Sequence, residues 1–424
     1  MSGPSPLSPP GPDRDALAAH RALGRPVPLS LSRRRFIQLG AATAALAAAP
    51  SLLTACSPGS APGVLVTITM PGANDYLNTL VPIDSGTYYD WRGPVALSAA
   101  EVLPLTGTTG LHPSLPFLKS LFDKGWAAAV EGVGMADHNT SHFTMMARWM
   151  RGHASTAETS GWLGRWLDAT AVPAGTSLMA AGVGTVTPGH LIGKTTQAVT
   201  LPSTQSSTML GLATDARSLA QDSTLQAFAS SATGGLAVPL TRSFADAIAL
   251  APKVQPAYTS TALGVEADLT TAANIINAGL GTRLIDVTHV GFDTHGDEKV
   301  VQGLSLQLLD QGLQAFYNTL QPSLASRVTI LIYTEFGRTP KANAGNGTDH
   351  GTAGCLFLLG PQVSPGLHGQ RPSFTALDSD GLLVSTVDFR AVYATIISKW
   401  LGGDPTALLG ATYDQLPLFT AGPK

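Results

Sequence analysis

The chain has 424 residues, 44% of them apolar and 12% charged, with 45 glycines and 30 prolines. That size suits one large domain or two ordinary ones, and the composition excludes disorder and collagen. Of 25 basic and 28 acidic residues, the first 55 positions hold six bases and two acids, which leaves 19 bases against 26 acids, a net −7, for the rest. A surface of that sign excludes nucleic acid as a partner, because such binding is driven by Lys and Arg displacing counterions from phosphates. Two cysteines, Cys56 and Cys355, exclude a disulfide framework, so stability must come from a core.

The N-terminal 55 residues read as a twin-arginine export signal. Ser32-Arg33-Arg34-Arg35-Phe36-Ile37 precedes an uncharged, alanine-rich run from Leu39 to Ala55. The run falls short of the roughly 20 apolar residues of a membrane span, and it contains Pro50. Leu53-Thr54-Ala55-Cys56 follows as a lipobox, so Cys56 is expected to become the acylated first residue of the mature chain. The expected partners are the twin-arginine translocase during export and a membrane through lipidated Cys56; the expected location is the periplasm or cell envelope. Proteins on this route fold before crossing, often with a cofactor loaded in the cytoplasm, which makes a metal worth seeking.

A linker spans 56–63, and the domain runs over 64–424. Val64 to Met70 is β-branched and apolar and ends at Pro71-Gly72, which predicts a buried strand. Further strands are predicted at Trp126 to Val133, Leu284 to Phe292, Val328 to Thr334 and Cys355 to Leu359. Between them, helical spacing marks Leu115 to Phe122, Thr144 to Met150, Leu306 to Leu320 and Phe389 to Leu401. Leu306, Leu309, Leu313, Phe316 and Leu320 step by three and four, which sets them on one face against a sheet. The alternation predicts a layered α/β domain, with a Ser/Thr/Ala-rich helical insertion at about 203–262.

Ligands in open α/β sheets sit beyond the carboxyl ends of the strands, and here those ends carry metal-ligand residue types. PGANDYLN supplies Asn74 and Asp75, GFDTHG supplies Asp293 and His295, TEFGRT supplies Glu335 and Arg338, and GTDHG supplies Asp349 and His350 just ahead of a strand. One Asp after a strand is usually a turn former. Recurrence changes the reading, because carboxylates crowded at neighbouring strand ends need a cation to stay ionised. Oxygen and imidazole donors without thiolate suit Zn²⁺, Mn²⁺, Mg²⁺ or Fe. Ser141 stands where it would cap the helix TMMARWM, a place for a nucleophile beside a helix N-terminus. His142 is a candidate catalytic residue as ligand or proton donor, and Arg338, with Arg151, is a candidate clamp for an oxyanion.

In order, PGANDYLN, SHF, GWLGRW, GFDTHG, EFGRT, GTDHG and VDFRAVYATIISKWLG resemble a bacterial family of exported proteins, domain of unknown function 1501. The family in turn resembles a branch of the alkaline phosphatase and sulfatase superfamily. The resemblance implies a three-layer α/β/α fold with a mixed, mostly parallel sheet, alkaline phosphatase-like, and a two-metal site at the strand ends. It implies Asp75 as the ligand after the first strand, Ser141 as nucleophile, Asp293 and His295 as an Asp/His pair, and His350 as the last ligand. Glu335 and Phe336 stand where the superfamily has Asp-His. The implied reaction is metal-dependent hydrolysis of phosphate or sulfate esters, of a small molecule or a polymer. The competing expectation is an envelope binding or scaffold lipoprotein with a degraded site, which Phe336 favours. A metal-free serine hydrolase finds no GxSxG elbow around Ser141.

Overall fold

The computed structural model describes residues 63–202 (except 174, 185, 186 and 197), 223, 224, 227 and 249–423. The export signal, Cys56, nearly all of the linker and most of the 203–262 insertion lie outside the described residues. The tail of that insertion is helical at 249–254. Among the described residues no helix is long and apolar enough to cross a membrane.

The first strand, β1 (Val64–Thr69), is buried on both faces, as its β-branched sequence VLVTIT requires of a central strand. Next come α1 (Tyr76–Thr79), β2 (Leu80–Val81), α2 (Gly86–Arg92), β3 (Leu103–Pro104), β4 (Gly110–Leu111) and α3 (Pro116–Asp123). The chain then forms β5 (Ala127–Gly134), α4 (His142–Arg151), α5 (Trp162–Ala169), β6 (Ala180–Val183) and β7 (Val199–Leu201). The second half supplies α6 (Val265–Asn277), β8 (Leu284–Thr288), α7 (Glu298–Thr319) and β9 (Val328–Tyr333). It ends with β10 (Gly354–Leu359), β11 (Gly366–Gly369), β12 (Val387–Asp388) and α8 (Phe389–Ile396).

Nine strands make one sheet in the order β11-β5-β10-β9-β1-β8-β6-β7, with β12 also on β5, while β2, β4 and β3 form a small separate sheet. In the large sheet only β10 runs against its neighbours; every other pairing is parallel. The sheet is therefore mixed and mostly parallel, as expected. Two apolar cores flank it. One joins Val64, Val66 and Ile68 of β1 to α3, α6 and the Leu306, Leu309, Leu313 and Phe316 stripe of α7. The other joins Leu65 to Met145 and Trp149 of α4, Trp162 and Trp166 of α5, and Val392, Tyr393 and Ile396 of α8. Helices on both faces make the three layers.

The strand order places β9, β1 and β8 side by side and parallel, so the segments after Thr69, Thr288 and Tyr333 emerge at one edge. β5 runs the same way and leads there into α4, while β10 starts from that edge. Segments far apart in sequence therefore meet.

Candidate metal centre

Three histidines meet at one carboxylate oxygen. His142 is the first residue of α4, set by Ser141 as N-cap, whose Oγ accepts the Thr144 N–H. His350 lies just before β10, and Asp293 and His295 lie between β8 and α7. His142 Nε2 is 3.0 Å from His350 Nε2 and 3.3 Å from Asp293 Oδ1. His350 Nε2 is 3.2 Å from the same oxygen. His295 Nε2 adds contacts of 2.9 Å to His350 Nε2 and 3.0 Å to Asp293 Oδ1.

The opposite nitrogen of each ring is anchored. His142 Nδ1 is 2.6 Å from Glu335 Oε1, His295 Nδ1 is 3.0 Å from Asp349 Oδ1, and His350 Nδ1 is 2.8 Å from the Thr140 carbonyl oxygen. A carbonyl only accepts, and an ionised carboxylate does the same. Each Nδ1 therefore donates outward, and each Nε2 faces Asp293, where a protonated nitrogen donates to the carboxylate and a deprotonated one offers its lone pair to a cation. Such carboxylate or carbonyl anchors set the tautomer of metal-bound histidines.

The donor set fits a cation. His142, Asp293 and His350 offer ligand atoms within 4.8 Å of one another, forming a triangle with sides of 3.0, 3.2 and 3.3 Å. Bond lengths of about 2.0–2.2 Å in tetrahedral zinc sites imply ligand-to-ligand edges of about 3.3–3.6 Å, so the triangle would open by a few tenths of an ångström around an ion. Imidazole nitrogens crowded on one carboxylate oxygen call for positive charge among them, supplied by protons on the rings or by a cation in their place.

Charge perturbations agree. Burial alone would lower the His142 pKa, but hydrogen bonds with Asp293 and Glu335 outweigh it and lift the value to about 9. The bond to Asp293 likewise raises His295, against the effect of burial. Burial opposes ionisation of Asp293, yet bonds from the three histidines and the charge of Arg338 hold it far below the usual carboxylate range. Asp293 and His295 side chains are about half exposed, at 49% and 46%, so the centre opens to solvent on their side.

Several expected roles change. Asp75, expected as a metal ligand, is fully buried, caps α1 through the Leu77 N–H and is clasped by both Nη atoms of Arg92 at 2.5 and 2.9 Å. Burial raises its pKa, but Arg92 and Glu298 bring the net value below normal. Glu298 is pushed up to about 9, first by burial and then by Asp75. Glu335, also expected as a ligand, is wholly buried behind His142, accepting from Gly72 N and Thr334 Oγ1 besides the ring. Asp349 stands behind His295 and also accepts from Asn343. These two carboxylates orient the His142 and His295 rings.

His142, expected to be catalytic, stands among the donors. Arg338, expected to clamp an oxyanion, is buried, and donates to the Ala73, Thr348, Gly72 and Phe292 carbonyls and, at 2.6 Å, to Asp293 Oδ1. It positions Asp293. Arg151 bonds the Ala147 and Thr156 carbonyls. Phe336, read from the sequence as favouring a degraded site, stacks on the His142 ring with centroids 5.0 Å apart.

The sequence reading did not include the Thr140 carbonyl, which has no side-chain signature, or Arg92. Gly72 permits the tight packing: its φ of +115° favours glycine, and a Cβ there would lie 2.7 Å from the Asp293 nitrogen.

The model of the family described as protein of unknown function (DUF1501) matches residues 96–416. No protein with curated annotation matches the chain. Among solved structures, Ps i-CgsB in complex with k-i-k-neocarrahexaose overlaps with a TM-score of 0.38 and 11% identity, over 84% of this chain and 73% of its own. A protein in the alkaline phosphatase superfamily from Vibrio parahaemolyticus gives 0.33 and 10%, over 72% and 62%. The lipoteichoic acid synthase LtaP from Listeria monocytogenes gives 0.30 and 8%, over 73% and 66%. Overlaps this loose assign no reaction to the chain.

Proposed function

The chain belongs to the DUF1501 family, and on that premise we propose that it is an exported, metal-dependent hydrolase of phosphate or sulfate esters. One observation carries the proposal: three histidines, each anchored through Nδ1, direct Nε2 at a single Asp293 oxygen. His142, Asp293 and His350 would hold the cation, with His295 as the adjoining donor. Imidazole-rich donors favour Zn²⁺, Mn²⁺ or Fe over Mg²⁺.

A divalent cation there would supply Lewis acidity toward an ester oxygen and compensate developing negative charge. The protein's own groups do the rest. Glu335, Asp349 and Thr140 fix the ring tautomers, and Arg338 fixes Asp293. Ser141, one residue from His142, is the proposed nucleophile. Its Oγ forms a bond to phosphorus or sulfur as the ester bond breaks, and its proton leaves with the alcohol; water then returns the serine hydroxyl and releases phosphate or sulfate. The packing of Phe336 on His142 gives that aromatic a role in orienting a donor, which weighs against a degraded site.

Export by the twin-arginine route and anchoring through Cys56 complete the proposal. The test is turnover of phosphomonoester, phosphodiester and sulfate ester substrates by metal-loaded and chelated protein. Metal-dependent turnover in one class is expected; none in any class by metal-loaded protein contradicts the reading.

A further inference from the structure

The helix that delivers His142 leads to a second charged cleft. α4 spans ten residues, and its last turns carry Arg148 and Arg151 into a small cleft of about 50 Å³ that Arg390 also lines, over Met135 and Phe389 with His153 alongside. β12 pairs in parallel with the end of β5, Val387 beside Val133 and Asp388 beside Gly134, and leads into Phe389, so Phe389 and Arg390 follow a strand end on the same edge of the sheet as the metal centre. At 1.5 Å per residue, the backbone positions of Arg148 and Arg151 lie about 9–14 Å along the α4 axis from that of His142.

The three guanidinium groups are held in place with donor capacity left over. Arg148 Nη1 donates to the Asp137 carbonyl and lies 3.3 Å from its carboxylate, which is 80% exposed. Arg151 donates from Nε and Nη1 to the Ala147 and Thr156 carbonyls, both at 3.1 Å. Arg390 pairs with Asp388 through Nε and Nη2 and rests on the Phe389 and Tyr413 rings. Among the described residues, Nη2 of Arg148 and of Arg151 and Nη1 of Arg390 take part in none of these bonds. Three guanidiniums against two carboxylates leave positive charge in a chain that is acidic overall. Fixed guanidinium forks match the oxygens of a tetrahedral oxyanion.

We propose that this cleft binds a second phosphate or sulfate group of the substrate, so that the preferred substrate is an oligomer or polymer that carries more than one such group. The proposal rests on the ester-hydrolase reading of the metal centre, because that centre would hold the first group. A ligand engaging both sites gains from effective concentration, which is greatest when its length matches the span.

Two binding measurements test it separately from the metal. Chelated protein titrated with inorganic tripolyphosphate at low ionic strength should bind it, and Arg148→Gln with Arg151→Gln should weaken binding at least tenfold, while Lys124→Gln, at the end of α3 over the Trp126 ring and not part of the cleft, leaves it unchanged. Arg390→Gln is the second variant should the double substitution fail to fold, and the same loss is expected. Equal binding by wild type and these variants, or none by wild type, overturns the cleft. Zn²⁺-loaded protein titrated with α,ω-alkane bisphosphonates of increasing length should show an affinity maximum that chelation and the arginine substitutions each abolish. Length-independent affinity in protein that holds Zn²⁺ overturns the bridging substrate. Failure to hold Zn²⁺ sinks the hydrolase reading and the bridging substrate that rests on it, while the tripolyphosphate titration still decides whether the cleft is an anion site.

Discussion

Glu335 Oε1 lies 2.6 Å from Nδ1 of His142, and the carboxylate is buried completely beneath the ring. That contact commits the Nδ1 proton to Glu335 and points Nε2 at Asp293 Oδ1 and His350 Nε2. Glu335→Gln keeps the shape but presents an amide that can donate as readily as accept. Loss of such an anchor costs about 10–100-fold in metal affinity. A competition titration against a chromophoric chelator should read a drop in that range with stoichiometry unchanged.

The pH dependence of stability should differ between chelated and metal-loaded protein. In chelated protein the His142 pKa stands at about 9, above its ordinary 6.5, because hydrogen bonds to Asp293 and Glu335 overcome burial. The folded state holds this proton more tightly than the unfolded state, so the contribution is complete below about pH 6.5 and lost as pH rises through 9. Metal needs the deprotonated Nε2, so its affinity rises over the same window. Melting temperatures measured from pH 6 to 9.5 should fall with pH under chelation and fall less, or rise, with metal. His142→Gln should remove most of the difference.

Asp75→Asn separates a ligand from a structural ion pair. The Asp75–Arg92 pair has no exposed side-chain surface, and breaking a buried pair costs about 3–5 kcal/mol. Thermal denaturation should show a similar loss before and after chelation, with metal content unaltered. A loss seen only with metal present would return Asp75 to the ligand set.

Ser141→Ala should lower turnover of the preferred ester by roughly two orders of magnitude or more, as removal of a nucleophile does. It should leave metal content intact and cost about 1 kcal/mol of stability through the lost helix cap. Unchanged turnover assigns the attack to water.

Anchoring is tested by Cys56→Ala. Several acyl chains hold a protein stably on a membrane, whereas none leaves it soluble, so the variant should move to the soluble fraction of exported protein. Arg33→Lys with Arg34→Lys should strand precursor inside the cell, because lysine lacks the guanidinium pair.

Much of this architecture was legible in the residues. β-branched runs such as VLVTIT and VTILIY became central strands because both faces are buried, and the leucine stripe of α7 packs where its spacing put it. Asp293, His295 and His350 stood out because metal-ligand types recurred at strand ends. The layering of the site was not legible. Whether a carboxylate meets a cation or a ring N–H depends on whether an imidazole lies between, and nothing local to Glu335 or Asp349 records that. Asp75 looked like a ligand because Arg92 meets it only after α1 and α2 fold back. Arg338 looked available because its carbonyl partners come from three separate segments.

The central claim is that His142, Asp293 and His350 hold a cation. The most direct measurement is elemental analysis of protein exported by its native route, wild type beside His350→Ala, with each melting temperature taken before and after chelation. The account predicts about one divalent ion per wild-type chain, a lower melting temperature on chelation, and little metal with no chelation effect in the variant, because a ligand that binds only the folded state stabilises it by mass action. A wild-type protein that is metal-free, refuses added Zn²⁺, Mn²⁺ and Fe²⁺, and melts at the same temperature with and without chelator would contradict it.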